Sequence, residues 1–294
     1  MESKKMRFSR LGILVLILFT VLIGANCSYY SRIIARKNLV DGGKAYKNRK
    51  FKEAEQLFRD AIAREPEGSS IEGKTAQLFL ARTLHSEYIA NRSVTPTAEA
   101  AIQEYKKVLT EDPNDQSSFK AIANLLENLG RNDEALAWTT ERANNEQIPK
   151  EQRAEAYTSL AAKKYSCAND ISDVEPVKKT VTKDGKQVFE FVKPENPEEY
   201  ATLQKCVQEG TDLIDKAVAL DPNSDSAWSY KANFLVQQGR VAEMEGNSQL
   251  KEELKAKAEE AKNRFTELSA EKKRIADEAE AKKKAEEEAA NKEK

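Results

Sequence analysis

Apolar and small residues recur along this chain at helical spacing, and the runs they form end at proline. The segment 42–66, GGKAYKNRKFKEAEQLFRDAIAREP, is the clearest. Tyr46, Phe51 and Phe58 are its large apolar positions and Gly42, Ala54 and Ala61 its small ones. Charged residues fill the places between. Steps of three and four put the apolar set on one face of each of two helices. Small residues permit a close helix crossing, large ones fill the gap to the next pair, and Pro66 stops the second helix.

The pattern returns further along. Ala101, Tyr105, Val108 and Pro113 repeat the spacing of Ala54, Phe58, Ala61 and Pro66, after a first helix TAQLFLARTLHSEYIA with Ala81 at the crossing. A short insertion is expected between these two helices, near ANRSVTPTAE. A third copy runs FKAIANLLENLGRNDEALAW, with Phe119, Ile122, Ala123 and Leu126, a turn at Gly130, and Ala135 beyond it. A fourth is split into AEAYTSLAAKKYS and EGTDLIDKAVALDPNSD, and a fifth opens with AWSYKANFLVQQGR. The second helices end alike, in EPEG, DPND and DPNS. The unit resembles the tetratricopeptide repeat, two antiparallel helices in about 34 residues. The resemblance implies an all-α solenoid of about five helix-turn-helix units over residues 31–268. Such units bury their faces only by stacking.

The first residues are of another kind. Lys4, Lys5, Arg7 and Arg10 give residues 1–10 the character of a basic cytoplasmic leader. The uninterrupted apolar run that follows makes 11–30 long enough for a transmembrane signal anchor. Two other fates stay open: cleavage after Ala25, or a lipoprotein signal ending at Cys27, which would then be lipidated. The basic leader favours repeats on the extracytoplasmic, periplasmic side, and the reverse topology would make the chain a cytosol-facing adaptor.

Cys167 and Cys206 flank the point where the fourth unit is interrupted, by an insertion at about 169–199. In an unmodified repeat those places are neighbours, so a disulfide is expected there, in an oxidising compartment. Two unpaired core cysteines are the alternative. Within the insertion, Asp184-Gly185 between TVTK and KQVFEFV predicts a β-hairpin, with Val188 to Val192 offering an apolar face to the helices. Residues 254–268 keep an apolar stripe that can pack on the fifth unit. From 269 to 294 alanines alternate with Glu and Lys blocks, which predicts a charged, solvated helix or disordered tail. The sustained apolar heptads of a coiled coil are absent.

The chain carries 48 Lys and Arg against 49 Asp and Glu, a net charge of −1, so no single-sign field argues for nucleic acid. One histidine, no Gly-rich phosphate loop and no zinc spacing leave no catalytic, metal or cofactor constellation, and no small-molecule substrate is indicated. A non-enzymatic scaffold binding a protein or peptide is therefore expected, or a structural lipoprotein of envelope assembly. In the repeat family the first helices line the concave face. Carried onto this sequence, that face holds Tyr46, Lys47, Arg82, His85, Lys120, Asn124, Asn128, Tyr165, Asn233 and Gln237. Lys120 and Asn124 resemble half of the carboxylate clamp of chaperone-binding members. Ser159, Ser226 and Tyr230 stand where the rest of that clamp needs Asn, Lys and Arg.

Overall fold

The computed structural model describes residues 30–64 and 70–292. Among them are ten helices and one hairpin: α1 (30–47), α2 (Phe51–Ala63), α3 (Ile71–Ala90), α4 (Thr95–Glu111), α5 (Gln116–Asn128), α6 (Asn132–Asn144), α7 (Lys150–Ser172), β1 (Lys178–Lys183), β2 (Lys186–Phe191), α8 (Pro197–Leu220), α9 (Asp225–Met244) and α10 (Ser248–Lys292). The leader, Cys27, Pro66 and the anchor expected at 11–30, all but Tyr30, lie outside the described residues. No helix of the described residues is long and apolar enough to cross a membrane. The chain divides into two compact units, 1–135 and 136–294, with the boundary inside α6.

In the first unit the small residues of the pattern sit at helix crossings. Phe58 of α2 is fully buried, against Gly42 of α1 and 5.7 Å from the ring of Phe79 on α3. Burying such a side chain stabilises by about 1.5–3 kcal/mol. Leu80, Ala81, Leu84 and Tyr88 of α3 are buried with Ala98, Ala101, Ile102 and Tyr105 of α4, the helix packed against it. One carboxylate is drawn into this core. Glu104 accepts from Gln77 Nε2 at 2.6 Å and pairs with Lys107 at 2.9 Å and Arg59 at 3.7 Å, tying α2, α3 and α4 together. The insertion expected near residues 90–99 is only a short loop, because α4 begins at Thr95 and accommodates Pro96 in its first turn, where an N–H is not needed.

The DPND and DPNS segments fold alike for a chemical reason. Asp112 and Asp221 each accept from the N–H two residues on, that of Asn114 and of Asn223, both at 3.0 Å. Asp115 and Ser224 then cap the next helix, accepting from the N–H of Ser118 at 2.6 Å and of Ala227 at 3.2 Å. Each cap stabilises its helix by about 1 kcal/mol.

The second unit departs from the expected boundaries. The insertion expected at 169–199 shrinks to 173–196, because α7 continues to Ser172 and α8 starts at Pro197. Cys167 and Cys206 consequently lie inside the two helices rather than at their tips. They are joined as a disulfide with Cα atoms 6.1 Å apart. The added turns have their own core of Ala168, Val177, Leu203, Val207 and Met244. Between them β1 and β2 pair antiparallel, with Lys183 opposite Lys186. Asp184 and Gly185 form the turn in left-handed conformations, φ 51° and 74°. The apolar face expected to pack on the helices does so only at its base. Phe191 joins the core, while Val188 and Phe189 are 38% and 57% exposed because the hairpin projects. Leu254, Ala258 and Ala261 of α10 pack on Leu235 and Ala242 of α9. Beyond Ser269 the helix runs on in solvent, with pairs such as Arg274–Glu271 and Lys284–Glu280, each at 2.6 Å.

Candidate functional site

In the first unit the first helices of successive pairs are joined by side chains. Tyr46 of α1 hydrogen-bonds Ser86 of α3 at 3.0 Å, and its ring meets Phe79 edge-on at 6.1 Å. From α3, Arg82 donates to Ser117 of α5 at 3.4 Å and Tyr88 to the carbonyl of Asn128 at 3.3 Å. The α1, α3 and α5 helices thus lie side by side and share a face.

A cleft of about 500 Å³ opens on that face. Tyr46, Phe51, Ile89 and Tyr105 supply its apolar walls. His85 and Ser86 add polar atoms, and Lys47, Arg49 and Arg82 add three cations. No carboxylate lines it, and among the described residues none of the three cations has an ion-pair partner. Arg82 instead stacks over Phe79, 5.5 Å from the ring centroid. Behind it, Ser117 donates to Asp115 at 2.8 Å. Burial works to raise the Asp115 carboxyl, but the Ser118 N–H, the Ser117 hydroxyl and the nearby Arg82 charge together hold it below its ordinary value. His85 meets the Tyr105 hydroxyl at 3.3 Å. Burial lowers the imidazole from its usual 6.5 and raises the phenol, so both are neutral at pH 7.

The backbone beneath Arg49 is unusual. Three first helices end in the same capped turn: Arg49, Gly130 and Gly246 each donate to the carbonyl three residues back, at 2.9 Å in every case. The next residue, Lys50, Arg131 or Asn247, donates to the carbonyl five back. This is the Schellman arrangement, which needs a left-handed residue. Glycine supplies it twice, with φ 73° and 75°, whereas Arg49 adopts φ 60° with a full side chain. That costs on the order of 1 kcal/mol.

Of the residues expected on the binding face, Tyr46, Lys47, Arg82 and His85 come together in the cleft. Lys120 and Asn124 are exposed on α5, and Asn128 donates to Asn124 Oδ1 at 2.8 Å while accepting from Arg92 at 3.1 Å. The residues of the second unit differ. Tyr165 packs edge-on against Tyr230 and Phe234, and Asn233 is half-buried. Gln237 is 1% exposed, its amide accepting from Ser172 at 2.9 Å and donating to Asn169 at 3.4 Å. It is a core polar group and not part of a binding surface, because α7 runs far enough to cover it. Arg49, Phe51, Ser86 and Tyr105 belong to the cleft and were not among the expected face residues. For Arg49 a signal exists: it occupies the turn position that Gly130 and Gly246 hold in other units. Among the described residues no cluster of His, Cys, Asp or Glu could hold a metal ion.

No protein-family model and no curated protein matches the chain. Solved structures do match it. A MamA double mutant from strain RS-1 is 14% identical with a TM-score of 0.40, over 81% of this chain and 96% of that one. PilF of Pseudomonas aeruginosa is 15% identical with a TM-score of 0.39, over 83% and 93%. A tetratricopeptide repeat protein of Parabacteroides merdae is 13% identical with a TM-score of 0.35, over 80% and 97%. The fold is tetratricopeptide-like. In this chain that reading rests on the helix pairs, the small residues at their crossings and the repeated Asp-Pro-Asn loops.

Proposed function

We propose that this protein is a membrane-anchored, non-enzymatic scaffold that holds an extended segment of a partner protein on the face formed by α1, α3 and α5. The observation that carries the reading is the cleft on that face, with aromatic walls and unpaired cations. Such a surface gives an extended chain apolar contact and charge-assisted hydrogen bonds together. The Arg82 and Lys120 side chains would supply two of those bonds, each worth roughly 1.5–3 kcal/mol. Arg82 is half-buried over Phe79, so glutamine, which keeps part of the stem, is the suitable replacement. Changing both residues to Gln should weaken capture of the partner at least tenfold, read by photo-crosslinking in native membranes and mass spectrometry. An unchanged crosslink would remove this face from consideration.

The basic leader and apolar run support retention of residues 11–30 as an anchor with the repeats outside the cytoplasm, and the disulfide suits that oxidising side. Protease added to intact spheroplasts should then digest the repeats. Protection until lysis would reverse the topology.

A further inference from the structure

We propose that the cleft beside the α1–α2 turn recognises a peptide segment in which an aromatic side chain stands next to carboxylates, and that Arg49 is its specificity-determining residue. The inference rests on the peptide-binding reading of this face and names the chemistry it selects.

The argument begins with the three identical caps. At two of them glycine meets the left-handed requirement without strain. At the third, the chain keeps an arginine in that conformation. Nothing in the cap uses the side chain, since the bonds that define it are all from backbone to backbone. Arg49 instead lines the cleft, together with Lys47 and Arg82, which carry charge of the same sign. Gathering three cations in a cleft that no carboxylate lines, with only the Asp115 charge behind Ser117 near Arg82, works against folding, whereas the other Lys and Arg side chains among the described residues are mostly engaged in ion pairs. Strain and like charge at one place mark a binding surface whose complement is supplied from outside. Charge complementarity makes that complement anionic. The walls of Tyr46, Phe51 and Tyr105, and a volume of about 500 Å³, suit one aromatic ring with the adjoining backbone. Arginine rather than lysine at the rim favours a planar, two-pronged grip on a carboxylate.

The full chain in detergent is screened against a synthetic positional-scanning hexapeptide library labelled with fluorescein. Selection of Asp or Glu beside Phe, Tyr or Trp is expected. The best selected peptide is then titrated against Arg49→Gly and Arg49→Gln. Both variants should bind at least tenfold more weakly. Only Arg49→Gly should melt at a higher temperature than the parent, because it removes the strain while Gln retains it. A merely structural arginine would move the melting temperature without the affinity. Selection of neutral or basic peptides, or unchanged affinity in both variants, overturns the inference. If acidic peptides bind with no dependence on Arg49 but are lost when Arg82 and Lys120 become Gln, the assignment to Arg49 is wrong and the shared face remains right. If no peptide in the library binds, both readings fail.

Discussion

A methyl group added at Gly42 would lie 2.7 Å from the buried ring of Phe58, whereas one added at Gly43, the next residue, would meet nothing within 4 Å. The two glycines therefore predict opposite outcomes. Gly43→Ala should stabilise by about 0.5–1 kcal/mol, because alanine loses less backbone freedom in a helix. Gly42→Ala should destabilise by about 1–3 kcal/mol, because Phe58 has no room to move. Gly210→Ala should do the same or worse, since its Cβ would fall 2.1 Å from the Phe234 ring. Thermal melts followed by circular dichroism will rank the three, and equal melting temperatures would sink the crossing argument. Gly42 was legible in the sequence because aromatic and small positions surround it at repeat spacing. Gly210 was not, because its partner sits on the following helix pair. Arg49 was hidden for another reason: a turn residue with a charged side chain looks like any solvated loop residue until its φ is known.

At the scale of elements, the hairpin is held at its base. The Arg240 guanidinium lies 4.5 Å over the ring of Phe191, donates to Ser172 at 3.0 Å and approaches Asp173 at 3.7 Å. Lys178 at the start of β1 pairs with the same aspartate at 2.7 Å. Removing the guanidinium loses the stacking contact and a charge-assisted bond, together about 2–3 kcal/mol of local anchoring. Arg240→Ala should therefore speed tryptic cleavage at Lys179, Lys183 and Lys186 while the helices stay protected. Cleavage at the parental rate would show that the hairpin is held by other contacts. The turn itself could be read from Asp184-Gly185, because the favoured two-residue loop needs two left-handed residues. The direction in which the hairpin projects could not be read, since alternation says which residues share a face and not what that face meets. The helix end before the insertion was similarly obscure. The start of α8 does carry a local signal, Asn196 as cap with Pro197 in the first turn, whereas α7 runs on through Asn169, Asp170 and Ser172, poor helix formers that tertiary packing holds in the helix.

For the whole molecule the position of the disulfide matters more than its presence. Both cysteines belong to the second unit. They close a loop with a sequence separation of 39, which in the chain-entropy model restricts the unfolded chain by about 4 kcal/mol. Calorimetry with and without reductant should lower the transition of the second unit and leave that of the first unmoved. A single transition that shifts as one would show that the two units unfold as a cooperative whole. The repeat architecture was readable over most of the chain, because alanine and aromatic spacing and the Asp-Pro-Asn loops are local signals. The binding cleft was read only in part, because a site shared by three elements depends on which neighbours the fold brings together.

The capped turn at Arg49 carries an implication at the level of the gene. Every arginine codon is one base change from a glycine codon, so the exchange that relieves this turn is always within reach of mutation. Selection for stability alone would favour it. A lineage that gives up the ligand should lose this arginine before it loses the repeats.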